Sequence, residues 1–205
     1  MSASPFFNED HESIREMARD FADRTLSPIA AEVDRTDAFP LDVVKQMAEL
    51  GFLGLKIPEA YGGLGLDMRS YVCVMEEIAK KCATATLFIS SANSLSTAPI
   101  VISGTPEQKE KYLPGVAAGE SLIAFGLTEP NAGSDAASMT TRAVEDGDSY
   151  ILNGRKCFIT MAPIADQCIV YAKTDPEKGA KGITCFMVDM NLPGVSCGRH
   201  EEKMG

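Results

Sequence analysis

Hydrophobic positions recur at helical spacing along roughly the first 120 residues and give way to short strand-like runs after Gly119. The first predicted helix carries Ile14, Met17, Ala18, Phe21 and Ala22 on one face, behind Asn8 or Asp10 as capping residue. A second starts near Pro40, sets Val43, Val44, Met47 and Leu50 on one stripe, and ends at Gly51. Residues 51–67 are dense in breakers, with Pro58 followed by Tyr61-Gly62-Gly63-Leu64-Gly65. Asp67 is placed to cap a helix whose apolar positions are Tyr71, Val72, Met75, Ile78 and Ala79. Residues 83–102 are small and apolar on all sides, which predicts a buried helix. Thr105-Pro106-Glu107-Gln108 opens the last helix, with Thr105 as cap, Pro106 in the first turn and Gln108 completing a capping box.

Beyond that helix the period changes. Leu122-Ile123-Ala124-Phe125 is a short apolar run of strand type. Residues 142–145 lead into Asp146-Gly147-Asp148, and Tyr150-Ile151-Leu152 leads into Asn153-Gly154. Two turn-forming pairs between β-prone segments predict antiparallel hairpins. Residues 168–172 and 183–188 read as buried strands. The expected class is α+β: an all-α N-terminal domain over residues 1–120, then a mainly antiparallel β domain over residues 121–205 that is incomplete at its C-terminus.

Composition narrows the function classes. Apolar residues make up 45% and charged residues 23% of the 205, which supports a packed core. A net charge of −10, with no basic run longer than Lys80-Lys81, argues against a nucleic-acid partner. None of the six cysteines forms a CxxC, and most lie in apolar runs, as expected for small buried thiols in a reducing cytosol. His11 and His200 have no ligand-like neighbours in sequence, so no metal site is expected. The acidic N-terminus lacks an apolar stretch, and no apolar run is expected to approach the ~20 residues of a membrane span, so the expected setting is cytoplasmic.

Candidate chemistry concentrates in residues 125–135, Phe-Gly-Leu-Thr-Glu-Pro-Asn-Ala-Gly-Ser-Asp. A strand ends there in a turn containing Pro130 and Gly133, with hydroxyls at Thr128 and Ser134. Such a loop offers backbone N–H groups and hydroxyls to a ligand rich in carbonyls and phosphates. An ordinary turn stabilised by Asp and Ser fits the same residues. No GxGxxG is present, so this is not a dinucleotide fingerprint.

The run from Leu127 to Asp135 is similar to the hallmark segment of the acyl-CoA dehydrogenase family, and Gly154-Arg155-Lys156-Cys157-Phe158-Ile159-Thr160 resembles its second hallmark. Tyr61-Gly62-Gly63-Leu64-Gly65 and Gly104-Thr105-Pro106-Glu107-Gln108-Lys109 match as well, in the same order. The resemblance implies FAD as cofactor, lined by Phe125, Gly126, Leu127, Thr128, Gly133 and Ser134 from the first segment and Phe158, Ile159 and Thr160 from the second. Thr128 would hydrogen-bond the flavin pyrimidine side, Phe158 would pack on the isoalloxazine, and Thr160 would donate toward N5. Ser134 would reach the pantetheine of an acyl-CoA substrate, a short-chain one by the N-terminal helices. Glu129 is implied to be structural. Two positions depart from the family pattern: Phe158 stands where many relatives have Trp, and Met161-Ala162 where they have Asn-Gly or Asn-Ala. The family further implies an electron-transferring flavoprotein as partner, a homotetramer, and a glutamate base from a C-terminal helical bundle, expected beyond Gly205. The 205-residue chain alone is then expected to be inactive. A flavin monooxygenase or an enoyl-CoA reductase on the same scaffold, and a non-catalytic interaction protein, are the alternatives.

Overall fold

The structure, a computed structural model of the chain, describes residues 6–201. It divides between Ser121 and Leu122 into two compact units, one helical and one built on a sheet, so the class is α+β.

The helical unit holds α1 (Glu9–Phe21), α2 (Ala30–Thr36), α3 (Leu41–Glu49), α4 (Met68–Ala79), α5 (Ala83–Ser90), α6 (Ala98–Ser103) and α7 (Pro106–Ala117). Asn8 caps α1: its side chain accepts from the His11 N–H, and the Asn8 N–H donates to His11 Nδ1, each at 3.0 Å. That leaves the buried His11 Nε2–H to donate to Asp67, the cap of α4, at 3.1 Å. One imidazole thus ties two helix starts together. Thr105 and Gln108 form the expected capping box at the start of α7. The core is built on Leu26, Met47, Phe52, Leu53, Leu55, Ile57, Ile78, Ile89 and Leu113, all essentially inaccessible.

Three expectations need correction here. On α4 the buried face is Ser70, Cys73, Val74, Glu77 and Ile78, while Val72 and Ala79 are exposed. Glu77 can go inside because Arg15, Arg19 and Lys80 meet its carboxylate, at 3.5, 3.2 and 2.9 Å. The segment expected to be buried on all sides is also interrupted. A π-helical turn at Ser91–Leu95 separates α5 from α6, and Ile102 is 79% exposed. The buried Asn93 of that turn donates to the carbonyls of Phe52 (2.8 Å) and Ile89 (2.9 Å) and accepts from the Lys56 N–H (2.8 Å). Ala83–Ser103 is a 21-residue helical run of mean hydropathy 1.3, long and apolar enough to cross a membrane by length and composition, contrary to the expectation that no run is. Half of it is buried inside the protein.

The glycine-rich loop before α4 has a packing reason. Leu64, Gly65 and Leu66 donate backbone N–H groups to Gly54, Ile57 and Leu55, folding the loop onto the preceding chain. A Cβ on Gly63 would lie 2.0 Å from the Ile57 carbonyl oxygen, so only glycine allows this approach.

The second unit is a five-stranded sheet of β1 (Ile123–Gly126), β2 (Arg142–Asp146), β3 (Ser149–Asn153), β4 (Gln167–Lys173) and β5 (Ile183–Asp189). The Gly147 hairpin joins β2 and β3 antiparallel, with Val144 opposite Ile151. β5 runs antiparallel along the whole of β4. β1 pairs parallel with Gln167–Val170 of β4, and β2 meets β4 parallel at Lys173 only. The sheet is therefore mixed, because the long connection between β1 and β4 permits a parallel crossover. Asn153-Gly154 does not turn a second hairpin; the chain leaves the sheet there. β5 is less buried than expected, with Thr184 and Cys185 exposed, since it pairs on one side only. Among the cysteines, Cys73, Cys82 and Cys168 are buried, whereas Cys185 and Cys197 are exposed, contrary to the expectation of buried thiols; all six are free.

Candidate functional site

The first hallmark segment leaves β1 at Gly126 and turns back on itself. Glu129 and Ala132 exchange backbone hydrogen bonds of 3.0 and 3.1 Å, putting Pro130 and Asn131 at an exposed tip. Gly133 and Ser134 follow, both exposed, and Ser138 closes the loop by donating its hydroxyl to the Asp135 carbonyl at 2.8 Å. The second hallmark segment crosses beside it. The Cys157 N–H donates to the Thr128 carbonyl at 2.9 Å. Lys156 Nζ donates to the Leu127 carbonyl at 3.1 Å and to Glu129 Oε1 at 2.8 Å.

Glu129 is the centre of this arrangement. It is 3% exposed, and both of its oxygens are engaged. Oε2 accepts from the Thr140 N–H (2.6 Å) and hydroxyl (2.8 Å); Oε1 accepts from the Thr141 N–H (3.0 Å), the Thr141 hydroxyl and Lys156. Burial pushes this carboxyl up, but the Lys156 ammonium and the two threonines outweigh it and hold it at about 2. Gly154 belongs to the same knot: a Cβ there would fall 2.2 Å from Thr141 Oγ1, so the chain can pass only without one. A carboxylate held ionised by five donors is a structural anchor and a poor proton acceptor, as the resemblance implies for Glu129.

Past the anchor the second segment adopts unusual backbone. Phe158 (φ 57°) and Met161 (φ 63°) both lie in the left-handed region, where non-glycine residues are uncommon. The Phe158 side chain is 74% exposed despite its size. Ile159 points the other way, packing against the small core of Ala124, Ala165 and Cys168. Burial there raises the Cys168 thiol to about 11, which leaves it inert at neutral pH.

The residues expected to form the site fall into three groups. Phe125 and Gly126 lie on β1: Phe125 is half-buried with its ring edge-on to Tyr171, and Gly126 is buried, its Cα face within contact of Cys168 and Lys156. Leu127 and Thr128 supply the carbonyls that receive the second segment. Gly133, Ser134, Phe158 and Thr160 are exposed. Among the described residues the hydroxyls of Thr128, Ser134 and Thr160 have no hydrogen-bond partner. Sequence reasoning missed Thr140, Thr141 and Lys156 as the partners of Glu129. The available signal was an acidic residue directly behind a strand end, with a cation in the other hallmark. Lys178 and Arg199 pair with Asp175 and Glu201 on the surface.

Comparison with known proteins places both units. The acyl-CoA dehydrogenase N-terminal domain matches residues 8–120, and the middle domain of the same family matches residues 124–205. A curated relative, the 3-(aryl)acrylate reductase of Clostridium sporogenes, is 56% identical over 98% of this chain and 53% of its own length. The caffeyl-CoA reductase-Etf complex subunit CarC of Acetobacterium woodii is 50% identical, again over 98% and 53%. The chain therefore spans about half the length of the curated relatives it matches. Butyryl-CoA dehydrogenase from Megasphaera elsdenii superposes with a TM-score of 0.92 at 39% identity, covering 100% of this chain and 54% of that one. A glutaryl-CoA dehydrogenase from Mycobacterium smegmatis, solved in complex with FADH2, gives 0.92 at 34% identity over 99% and 51%. The match runs through both units, and the chain belongs to the acyl-CoA dehydrogenase family.

Proposed function

We propose that the whole protein is an FAD-dependent oxidoreductase acting on the α,β carbon–carbon bond of an acyl-CoA thioester. The observation that carries this reading is the pair of loops anchored on Glu129, which offers an exposed aromatic ring and three unpartnered hydroxyls on neighbouring turns. An exposed ring and hydroxyl donors fit a planar heteroaromatic group edged with carbonyls and ring nitrogens. FAD, when bound, supplies a two-electron acceptor for the hydride of the β carbon. Thr128 would hold the pyrimidine edge by donating its hydroxyl, Phe158 would pack on the ring, and Thr160 would supply a donor on the N5 side. Phe125, Gly126, Leu127, Gly133 and the backbone of Ile159 would complete the surroundings of the flavin. Ser134 holds the pantetheine arm. Glu129, already committed to Lys156, Thr140 and Thr141, is not the base, and no base is assigned among the described residues.

Electrons are exchanged with an electron-transferring flavoprotein; the name of CarC as subunit of a complex with Etf supports this partner. The six free thiols support a reducing, cytoplasmic setting, and a homo-oligomer, a tetramer by resemblance, is the expected assembly. The names of the two relatives favour a second reading of direction: reduction of a 2,3-unsaturated acyl group, the reverse of dehydrogenation. The same bound flavin serves both. Purified whole protein should be yellow with FAD. Anaerobic butyryl-CoA should bleach it, and an enoyl-CoA such as cinnamoyl-CoA should re-oxidise the chemically reduced form. A colourless protein that takes up no FAD would refute the proposal, and re-oxidation without bleaching would select the reductase direction.

A further inference from the structure

We propose that Lys156 is a positioning residue: its ammonium clamps the turn at residues 158–160 onto residues 127–129, so that both loops meet one bound flavin in a fixed register. This rests on the cofactor reading above. The Lys156 side chain is 10% exposed, and its Nζ reaches the Leu127 carbonyl at 3.1 Å and Glu129 Oε1 at 2.8 Å. Apart from it, the two segments are joined by the hydrogen bond from the Cys157 N–H to the Thr128 carbonyl. One hydrogen bond fixes a point and leaves a pivot; a second anchor on the adjacent residue removes the pivot. The next residue, Phe158, needs that constraint, because its left-handed backbone persists only where the surroundings over-determine it. Released, the turn relaxes toward negative φ and swings the Phe158 ring and the Thr160 hydroxyl away from Thr128.

The anchor is also built asymmetrically. Without Lys156, Glu129 keeps four donors from Thr140 and Thr141. Without Glu129, the ammonium keeps only the Leu127 carbonyl. Lys156→Met therefore cuts the clamp while leaving the buried carboxylate satisfied, and it is the informative variant.

The test uses the whole protein in two arms. In hydrogen exchange without added cofactor, Lys156→Met should exchange residues 155–162 on the order of tenfold faster, the worth of a hydrogen bond to a charged group, with β4 and β5 unchanged. In FAD titration followed by flavin absorbance and visible circular dichroism, the same variant should bind about tenfold more weakly with an altered flavin band shape. Lys156→Arg should restore both readouts. Should Lys156→Met fail to fold, Lys156→Gln, which keeps a shorter neutral donor, takes its place. Unchanged exchange at residues 155–162 overturns the clamp. Faster exchange with unaltered FAD affinity and spectrum overturns the positioning role. If the wild type takes up no FAD, the cofactor reading falls by itself, and the exchange arm still decides the clamp.

Discussion

Phe158 and Met161 hold backbone conformations that L-residues with large side chains seldom adopt, and the two have different explanations. Phe158 gains a ring displayed outward. Met161 gains nothing visible: it is half-buried and merely precedes the short 3-10 turn Ala162–Ile164. Asn tolerates this region far better, which gives a physical reason for the Asn that the family pattern has there. Met161→Asn is expected to raise stability by about 0.5–1 kcal/mol, or roughly 1–4 °C in Tm. A lowered Tm in thermal melts would mean that the methionine side chain packs usefully. Thr160→Val, in the whole protein, should slow flavin reduction by about 2–4 kcal/mol at the transition state, provided Thr160 faces N5. Rapid-mixing absorbance shows this directly; an unchanged rate removes Thr160 from that role. Ser134→Ala should raise the acyl-CoA Kd by the equivalent of about 1 kcal/mol, and undiminished binding would take Ser134 out of the substrate site.

At the scale of elements, the interrupted helix around Asn93 is the sensitive point. Its amide serves three backbone groups of the buried chain at once, so Asn93→Ala should cost about 2–4 kcal/mol, read as a fall in denaturation midpoint. A loss below ~0.5 kcal/mol would show that water replaces it. This interruption was not legible in sequence, because residues 83–102 are apolar enough to read as one continuous helix. Helix starts were legible: Asn8, Asp67 and Thr105 are the caps, since capping is a local hydrogen bond between near neighbours. The face of α4 was not, because Glu77 is buried by Arg15 and Arg19, partners some 60 residues away. The Gly147 hairpin was legible from its turn, whereas Asn153-Gly154 misled: Gly154 is there to pass Thr141 closely, not to turn. For the candidate site the two segments were legible by resemblance. Their latch was not, since it depends on Thr140 and Thr141 arriving from the start of β2.

For the whole molecule, charge burial sets the response to acid. Glu77 and Glu129 are both nearly inaccessible; burial raises each, but cationic and hydroxyl or backbone partners bring both to about 2, below the ordinary 4.5. A folded value below the unfolded one adds stability above the unfolded value and loses it as pH falls through the folded one. Both units should therefore lose stability as pH drops from about 4.5 towards about 2, one through Glu77 and the other through Glu129. Denaturant midpoints measured across that range check this, and Glu77→Gln should flatten the slope; a midpoint independent of pH there would show that the pairs are not ionised as described. The topology of the sheet carries a consequence for the order of events during synthesis. β1 and β2 both lie against β4, joined to it at Gln167–Val170 and at Lys173. The Leu122 N–H finds Asp166 only 44 residues later. A ribosome that has released β1, the hallmark loop and the β2–β3 hairpin has thus released a row of segments with nowhere to dock. Until β4 emerges, β1 has no strand to pair with, and its docking is slow because that pairing is long-range. A nascent chain stalled before residue 167 should therefore carry the β2–β3 hairpin but no sheet to seat the loop that we propose faces the flavin.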